Sequence, residues 1–396
     1  RLASFTEKST RYQVLDAENV HKPESVANSD WSREYDGVIR DLFETYARAV
    51  LAVKHDVEGE VPRKPDETDE KYDVRIRSKY LDVCRGIIPL ASLTNVGATL
   101  NARSWEYAIS KMLSHELVEV NEMGEMIKSV AMGEAPVLIK YAKRNEYLVQ
   151  RRESLKKYGE RTNVEKSERI GVKFIRSSGG GELGVIATLL YQVRGGKNYD
   201  QCLADAMGMT GEQKGELFNS VYGGKGVFDR FGRELELEHM LFEATMDVAD
   251  YRDLWRNRMQ TTIPQEVNGS YGISVPERWR KVGMESEITE VLTRAIEAAK
   301  FFGTKFDHGE QGYLYPGATM RKVIIDMNLR QLFDVIYKVR GGPTAHPSYR
   351  SLALGMSEFG KVLYPNLWKY VKSKAPPPDF NDLARSWYGA DQPNVV

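Results

Sequence analysis

The feature that most constrains this chain is a weak internal repeat. The segment Pro89 … Asn101-Ala102-Arg103 recurs as Pro316 … Asn328-Leu329-Arg330, with the same proline-to-asparagine spacing and a long helical pattern after each. Upstream, the stretch from Arg1 to Tyr12 has a faded echo from Arg258 to Tyr271, in which Gln265-Glu266 parallels Thr6-Glu7. The repeats share a fold signal but not their polar residues, as expected of duplication followed by division of labour. With 396 residues there is length for two domains, and the repeat divides them as 1–160 and 161–396. The chain opens at Arg1, without Met, inside its most motif-like stretch. The front of the first repeat is therefore expected to lie outside this sequence.

Bulk properties narrow the function classes. The formal net charge is +0, so no overall field draws the chain to nucleic acid or to anionic lipid. Two cysteines, Cys84 and Cys202, are too few for a disulfide framework or a zinc cage, and the six histidines lack metal-ligand spacing. With no bilayer-length apolar run and no signal peptide, a reducing cytoplasm is the expected home.

Local patterns place the motifs. Residues 52–75 read as a charged, proline-containing surface excursion and 81–89 as a short apolar segment. Trp105, Ile109, Met112, Leu113, Leu117, Val120 and Met123 fall at helical spacing, which predicts one helix over 101–132, with Thr99 as its cap. A second helix is expected over 137–148, and 149–170 reads as a solvated linker or helix face. Residues 172–175 suggest a strand, Ser177-Ser178-Gly179-Gly180-Gly181 a turn, 183–193 a helix and 231–259 another helix; the Pro-rich tail after Lys374 is expected to be loosely held.

Arg1, Ser4, Glu7, Ser9 and Arg11 alternate two guanidinium groups with two hydroxyls. That composition suits a phosphate ester, because Arg offers two parallel N–H bonds to phosphate and hydroxyls complete the cradle. Glu7 then either accepts from a base or ribose or holds an Arg still. The same residues also describe an exposed polar strand with incidental ion pairs. Gly179-Gly180-Gly181 and Arg340-Gly341-Gly342 lack the spacing of a phosphate loop and read as turns.

Taken together, these residues resemble the flavin-dependent thymidylate synthases. Their signature runs Arg-His-Arg, seven residues, then Ser-x-Arg-Tyr, with Ser-x-Asn-Glu inside. Arg1 matches the second Arg, and the run from Ser4 to Tyr12 matches the rest, with Thr6 for Asn. A second block, Arg85-Gly86-Ile87-Ile88-Pro89 and Asn101-Ala102-Arg103-Ser104, matches the family's Arg before aliphatic-aliphatic-Pro and its Asn-x-Arg. The resemblance implies that Glu7, Ser9, Arg11 and Arg85 bind dUMP, and that Arg1, Asn101 and Arg103 lie against FAD.

Departures fall in a complementary pattern. Where the family helix offers an Arg to the uracil, the first repeat has Met112, with Lys111 and His115 nearby. The second repeat reads Gly232-Arg233-Glu234-Leu235-Glu236-Leu237-Glu238-His239, similar to a flavin-contacting segment, and Trp255-Arg256-Asn257-Arg258, with Asn257 in place of the motif's His. Its signature then decays: Pro264 intrudes, Asn268 stands for Ser, Ser270 for Arg, and Gly312 sits at the position of Arg85. Yet Val339-Arg340 and Ala345-His346-Pro347-Ser348-Tyr349-Arg350 are similar to the family's Leu-Arg … Ala-His-Pro, with Arg340 one residue late. The resemblance thus gives Arg11 and Arg340 catalytic roles and adds Glu238 and His346 to the flavin contacts. His346 also suits a packing role.

The fold this implies is α+β, a tandem pair of flavin-dependent thymidylate synthase repeats, each a central sheet with long helices. The implied activity is reductive methylation of dUMP to dTMP with methylenetetrahydrofolate, FAD and NADPH. A homodimer forming a pseudo-tetramer is the implied assembly, without nucleic acid or membrane. Two other readings stay open: C5-methylation of another uridine nucleotide, and a non-catalytic nucleotide-binding homologue. Cys84, though beside Arg85, has no companion motif and reads as a small buried residue.

Overall fold

The structure, a computed structural model, describes residues 3–7, 11–159, 171–306, 309–374 and 383. The chain is a mixture of helix and antiparallel sheet that divides into two compact units. The first comprises residues 1–167, 267–273 and 278–319; the second comprises 168–266, 274–277 and 320–396. Residues 278–319 belong to the second expected repeat by sequence but pack within the first unit. The compact units and the expected repeats therefore cut the chain differently.

The first unit is built on helices Ser32–Glu60, Asp69–Cys84 and Glu285–Phe302. In the first of these, Tyr35, Ile39, Leu42, Tyr46, Ala49, Val53 and Val57 are buried at three- and four-residue spacing, the stripe of a helix with one face in a core. It ends just ahead of Val61-Pro62, as a residue before proline is pushed out of the helical region. Thr68 caps the next helix by accepting from the Lys71 N–H at 3.4 Å. The surface excursion expected over 52–75 thus shrinks to the short connection between two helices. Trp279 is fully buried and donates from Nε1 to the Val83 carbonyl at 3.1 Å.

Two proline turns meet inside this unit. Pro89 and Pro316 face each other across an antiparallel bridge. Leu90 N–H donates to the Tyr315 carbonyl and Gly317 N–H to the Ile88 carbonyl, both at 2.9 Å. Farther out, Ala91 N–H reaches the Tyr313 carbonyl at 2.9 Å and Ala318 N–H the Gly86 carbonyl at 2.7 Å. Exchanging the two turns, Pro89 for Pro316, carries each bond of a pair into the other. A side chain at Gly86 would press on Ala318, with the two Cβ atoms 3.1 Å apart.

The first unit also holds a two-stranded sheet of β1 (Ala3–Glu7) and β2 (Val96–Leu100). The second unit holds a four-stranded antiparallel sheet of β3 (Gly171–Ser178), β4 (His239–Asp247), β5 (Thr261–Pro264) and β6 (Met320–Asn328), in the order β3-β4-β6-β5. Its core face carries Met240, Phe242, Ala244 and Met246 from β4 and Val323, Ile325 and Met327 from β6, buried at every second position. Helix Pro347–Leu363 is buried along most of its length, and its Phe359 ring stacks on Phe174 of β3 at 5.5 Å.

β1–β2 and β5–β6 pair in the same register. Carrying Arg1 onto Arg258 and Pro89 onto Pro316 takes Ser4↔Thr99 to Thr261↔Asp326 and Glu7↔Val96 to Pro264↔Val323. The second strand of each pair runs into a capping asparagine. Asn101 (φ −73°, ψ 162°) accepts from Ser104 N–H at 2.9 Å, and Asn328 (φ −79°, ψ 162°) from Gln331 N–H at 2.8 Å. Pairing thus aligns Glu7 with Pro264, not Glu266, so the insertion that offsets the upstream echo falls after the strand.

Several expected elements differ. The helix over 101–132 is two, Ala102–Leu113 and Val118–Glu134, parted at Ser114 to Leu117. There the Ser114 hydroxyl turns back to the Ser110 carbonyl at 2.6 Å, and Asn121 Nδ2 donates to the Met112 and His115 carbonyls. Asn101, not Thr99, is the cap, since Thr99 lies in β2. Over 137–148 only a turn of helix, Pro136–Ile139, precedes a helix at Glu146–Gly159. The helix expected over 231–259 is a 3-10 turn, strand β4 and the short helix Val248–Trp255. The alternating burial along β4 overrode the helix propensity of its Met, Leu, Glu and Ala residues. Strand β3 and helix Glu182–Val193 form as expected; residues 160–170 and, apart from Leu383, the tail after Lys374 lie outside the described residues.

Candidate functional site

In the first unit one expected site residue, Arg11, is held at the helix end that precedes another, Arg85. Arg11 grips Asp82 with a two-pronged fork, Nε to Oδ1 and Nη2 to Oδ2, both at 2.7 Å. The side chains are 19% and 5% exposed, so the pair is largely shielded from solvent. Asp82 belongs to the last turn of helix Asp69–Cys84, and Arg85, also buried, opens the 3-10 turn that continues it. Residues three apart share a helix face. Asp82 therefore draws Arg11 to the helix end that runs into the turn carrying Arg85. Sequence reasoning missed Asp82; the available signal was a lone acidic residue one turn before Arg85. Glu7 ends β1 on the surface, while Arg1 and Ser9 lie outside the described residues.

Cys84 is fully buried beside Arg85, and burial pushes its thiol far above the ordinary range. A thiol held protonated in this way is a packing group, not a nucleophile. Asn101 and Arg103 mark the start of helix Ala102–Leu113. The Asn101 side chain is committed to its cap, and Arg103 is exposed in the first turn, where it forms no ion pair among the described residues. Met112 packs against Gly124, whose Cβ would come within 2.9 Å of the Met112 Cβ. His115 uses Nδ1 to accept from Leu117 N–H at 3.1 Å, and burial lowers its pKa. Neither residue presents an arginine-like cation from that helix; Lys111 is exposed and lies over the Tyr107 ring at 5.4 Å.

In the second unit Glu238 is buried in the glycine turn. Its carboxylate accepts from the N–H groups of Gly180 at 3.1 Å and Gly181 at 3.0 Å, at the start of helix Glu182–Val193. That is an anion-binding position, filled here by the chain's own carboxylate. Gly179 (φ 103°) has no room for a side chain, since a Cβ would lie 2.4 Å from Glu238 Oε2. Burial raises the Glu238 pKa, and the two backbone donors partly offset the rise.

Arg340 ends a π-helix, Leu332–Arg340. A π-helix takes up an extra residue relative to an α-helix, which gives a physical account of why Arg340 stands one residue late in the motif. Arg340 Nε donates to Asn257 Oδ1 at 3.1 Å, and Asn257 Nδ2 donates to the Tyr349 hydroxyl at 2.7 Å. Arg256 lies near enough that partial burial and the Arg340 charge together lower its basicity. His346, 4% exposed, sets Nδ1 at 2.9 Å from Asp250 Oδ1, and the Ser348 hydroxyl donates to the other oxygen of that carboxylate. Asp250 so fixes both ends of the entry into helix Pro347–Leu363. Arg330, the counterpart of Arg103, differs from it in pairing with Glu236 at 2.5 Å.

Among the described residues no group of histidine, cysteine and carboxylate side chains could hold a metal ion, and no helix is long and apolar enough to cross a membrane.

Comparison with known proteins places part of the chain. A UPF0159 protein of Chlamydia muridarum is 26% identical over 346 residues, covering 84% of this chain and 64% of its own length. One from Chlamydia pneumoniae is 26% identical over 370 residues, covering 88% and 68%. A third, from Thermoplasma acidophilum, is 25% identical over 408 residues, covering 93% and 79%. The chain thus spans less than two thirds of the first of these curated relatives. Among solved structures, the UMP/dUMP methylase PolB of Streptomyces cacaoi, bound with 5-Br dUMP, is similar at a TM-score of 0.40 and 16% identity, over 52% of this chain and 96% of that one. Residues 1–137 match the family described as Thymidylate synthase complementing protein, which is the family that the sequence motifs resemble.

Proposed function

We propose that the chain methylates a uridine monophosphate, with the reductive methylation of dUMP to dTMP as its reaction and methylenetetrahydrofolate, FAD and NADPH as its co-reactants. The observation that carries this reading is the Arg11–Asp82 fork one turn from Arg85. One guanidinium held rigidly by a carboxylate, one helix turn from a second buried arginine, supplies donors of the kind that a phosphate monoester takes. Glu7 and Ser9 complete the nucleotide contacts in this proposal. On the family resemblance, Arg340 is assigned the stabilisation of negative charge on the pyrimidine.

The donor set at Asn101 and Arg103 fits a flavin nucleotide, because an exposed guanidinium stands beside the first-turn N–H groups of a helix. Arg1 and His346 are proposed as further flavin contacts on the family resemblance alone. Glu238 fits a supporting role better, as its carboxylate already fills the glycine turn. FAD, when bound, would carry the reducing equivalents taken from NADPH and mediate transfer of the one-carbon unit from methylenetetrahydrofolate. The chain's own residues bind the nucleotide, orient its ring and balance its charge; no thiolate is required, in keeping with the buried Cys84.

Tandem duplication is part of the proposal. It is supported by the shared register of β1–β2 and β5–β6, the matched asparagine caps, and the exchange symmetry of the two proline turns. Division of labour between the repeats, with two chains forming a pseudo-tetramer, accounts for Met112 in the first and Arg340 in the second. The packing of Met112 on Gly124 also favours a second reading, a nucleotide-binding homologue that has lost turnover. Complementation of a thymidine-requiring strain by the full-length gene, beside an Arg11→Ala control, separates the two. Growth that depends on Arg11 supports the methylase; no growth, with dUMP still bound, supports the non-catalytic homologue. Competition of UMP against dUMP identifies the sugar.

A further inference from the structure

Asn257 stands where the resembled motif has a histidine, and its bonds explain what the position requires. It is 5% exposed. Its Oδ1 accepts from Arg340 Nε at 3.1 Å, and its Nδ2 donates to the Leu254 carbonyl at 3.0 Å and to the Tyr349 hydroxyl at 2.7 Å. Two of these partners fix the amide's orientation by chemistry alone. A guanidinium N–H only donates and a backbone carbonyl only accepts, so the amide oxygen faces Arg340 and the nitrogen faces Leu254. Tyr349 is buried and its ring lies 6.0 Å from the Arg340 guanidinium carbon, closing the other side. Among the described residues Arg340 makes no ion pair. Its side-chain hydrogen-bond partner, Asn257, is neutral.

We propose that Asn257 is a positioning residue, one that aims the Arg340 guanidinium at the nucleotide while leaving its positive charge available to it. The proposal rests on the nucleotide-methylase reading above. Position 257 needs a short side chain with one acceptor and one donor: the acceptor orients Arg340, and the donor ties that acceptor to the Leu254 carbonyl and Tyr349. Asparagine makes all three bonds and a neutral histidine keeps the acceptor with one donor, whereas aspartate would also orient Arg340 but pair with it and cancel its charge. The π-helix that ends at Arg340 delivers the guanidinium to this fork despite the extra residue in the chain.

The test uses full-length protein and three variants, Asn257→His, Asn257→Asp and Asn257→Ala, with dUMP affinity measured by calorimetry and Tm measured alongside. Asn257→His is expected to keep dUMP affinity within about threefold of wild type. Asn257→Asp and Asn257→Ala are each expected to lose about tenfold or more, one by cancelling the charge and the other by releasing it. A purely structural role would instead make affinity follow Tm across all three. Wild-type affinity retained by a folded Asn257→Asp variant, or loss by Asn257→His in proportion to its Tm, overturns the assignment while leaving the methylase reading intact. Failure of wild-type protein to bind dUMP overturns both.

Discussion

Replacing Asp82 by Asn tests the proposed nucleotide site through its internal support. The substitution keeps the side chain's shape and one acceptor oxygen but removes the charge that Arg11 holds with two bonds of 2.7 Å. Exposed ion pairs contribute roughly 0–1 kcal/mol. Breaking a fully buried one costs about 3–5 kcal/mol, because a charge is left uncompensated. Asp82 is 5% exposed and Arg11 19%, so the expected cost lies between, at about 2–3 kcal/mol. For a unit of this size that corresponds to a fall in Tm of roughly 4–12 °C. Arg11→Gln alone should cost a similar amount. The double variant should cost less than the sum of the two by about 1 kcal/mol or more, since both singles break one interaction. The assay is thermal unfolding of all four proteins with the dUMP affinity of each. A Tm within about 1 °C of wild type for Asp82→Asn, or additivity within about 0.5 kcal/mol, would refute the claim that the fork is a coupled, shielded pair.

Two further outcomes follow from groups shifted by burial. Glu238 has a folded pKa raised above its ordinary 4.5, so the folded state binds more protons than the unfolded one in the window above that value. Its stabilising contribution is complete below pH 4.5 and is lost as pH rises through the folded pKa; Glu238→Gln should flatten that slope in urea midpoints measured across the window. The Cys84 thiol, buried and pushed upward, should resist iodoacetamide in native protein and react only after unfolding, as read by mass spectrometry, and Cys84→Ser should leave complementation unchanged.

Much of the candidate site was legible because it rests on local spacing. The Asn-x-Arg pattern marks a helix start wherever it falls, and the sequence separation between Pro89 and Asn101 recurs in the second half because the same turn and strand lie between. Partners distant along the chain were not legible. Asp82 reaches Arg11 across 71 positions, and Asn257 reaches Arg340 across 83; nothing in the local pattern of either carboxylate or amide announces its partner. β4 was misread because its methionines, Leu241, Glu243 and Ala244 favour helix, while the alternation that makes it a strand becomes decisive only when β3 and β6 flank it. The break at Ser114 to Leu117 was missed for a related reason: apolar residues continue at helical spacing through it, and side-chain bonds to the backbone make the corner.

The facing turns at Pro89 and Pro316 carry a consequence for how this protein can vary. When two separate copies meet about a twofold axis, every substitution arrives on both sides at once and must suit both. Here the two sides lie on one polypeptide, so their encounter is intramolecular, at an effective concentration on the order of millimolar that dilution cannot reduce. Each side can then change alone. Arg85 stands on one, buried where its helix ends, while Gly312 stands at the matching spacing on the other, with open space beyond where a side chain would begin.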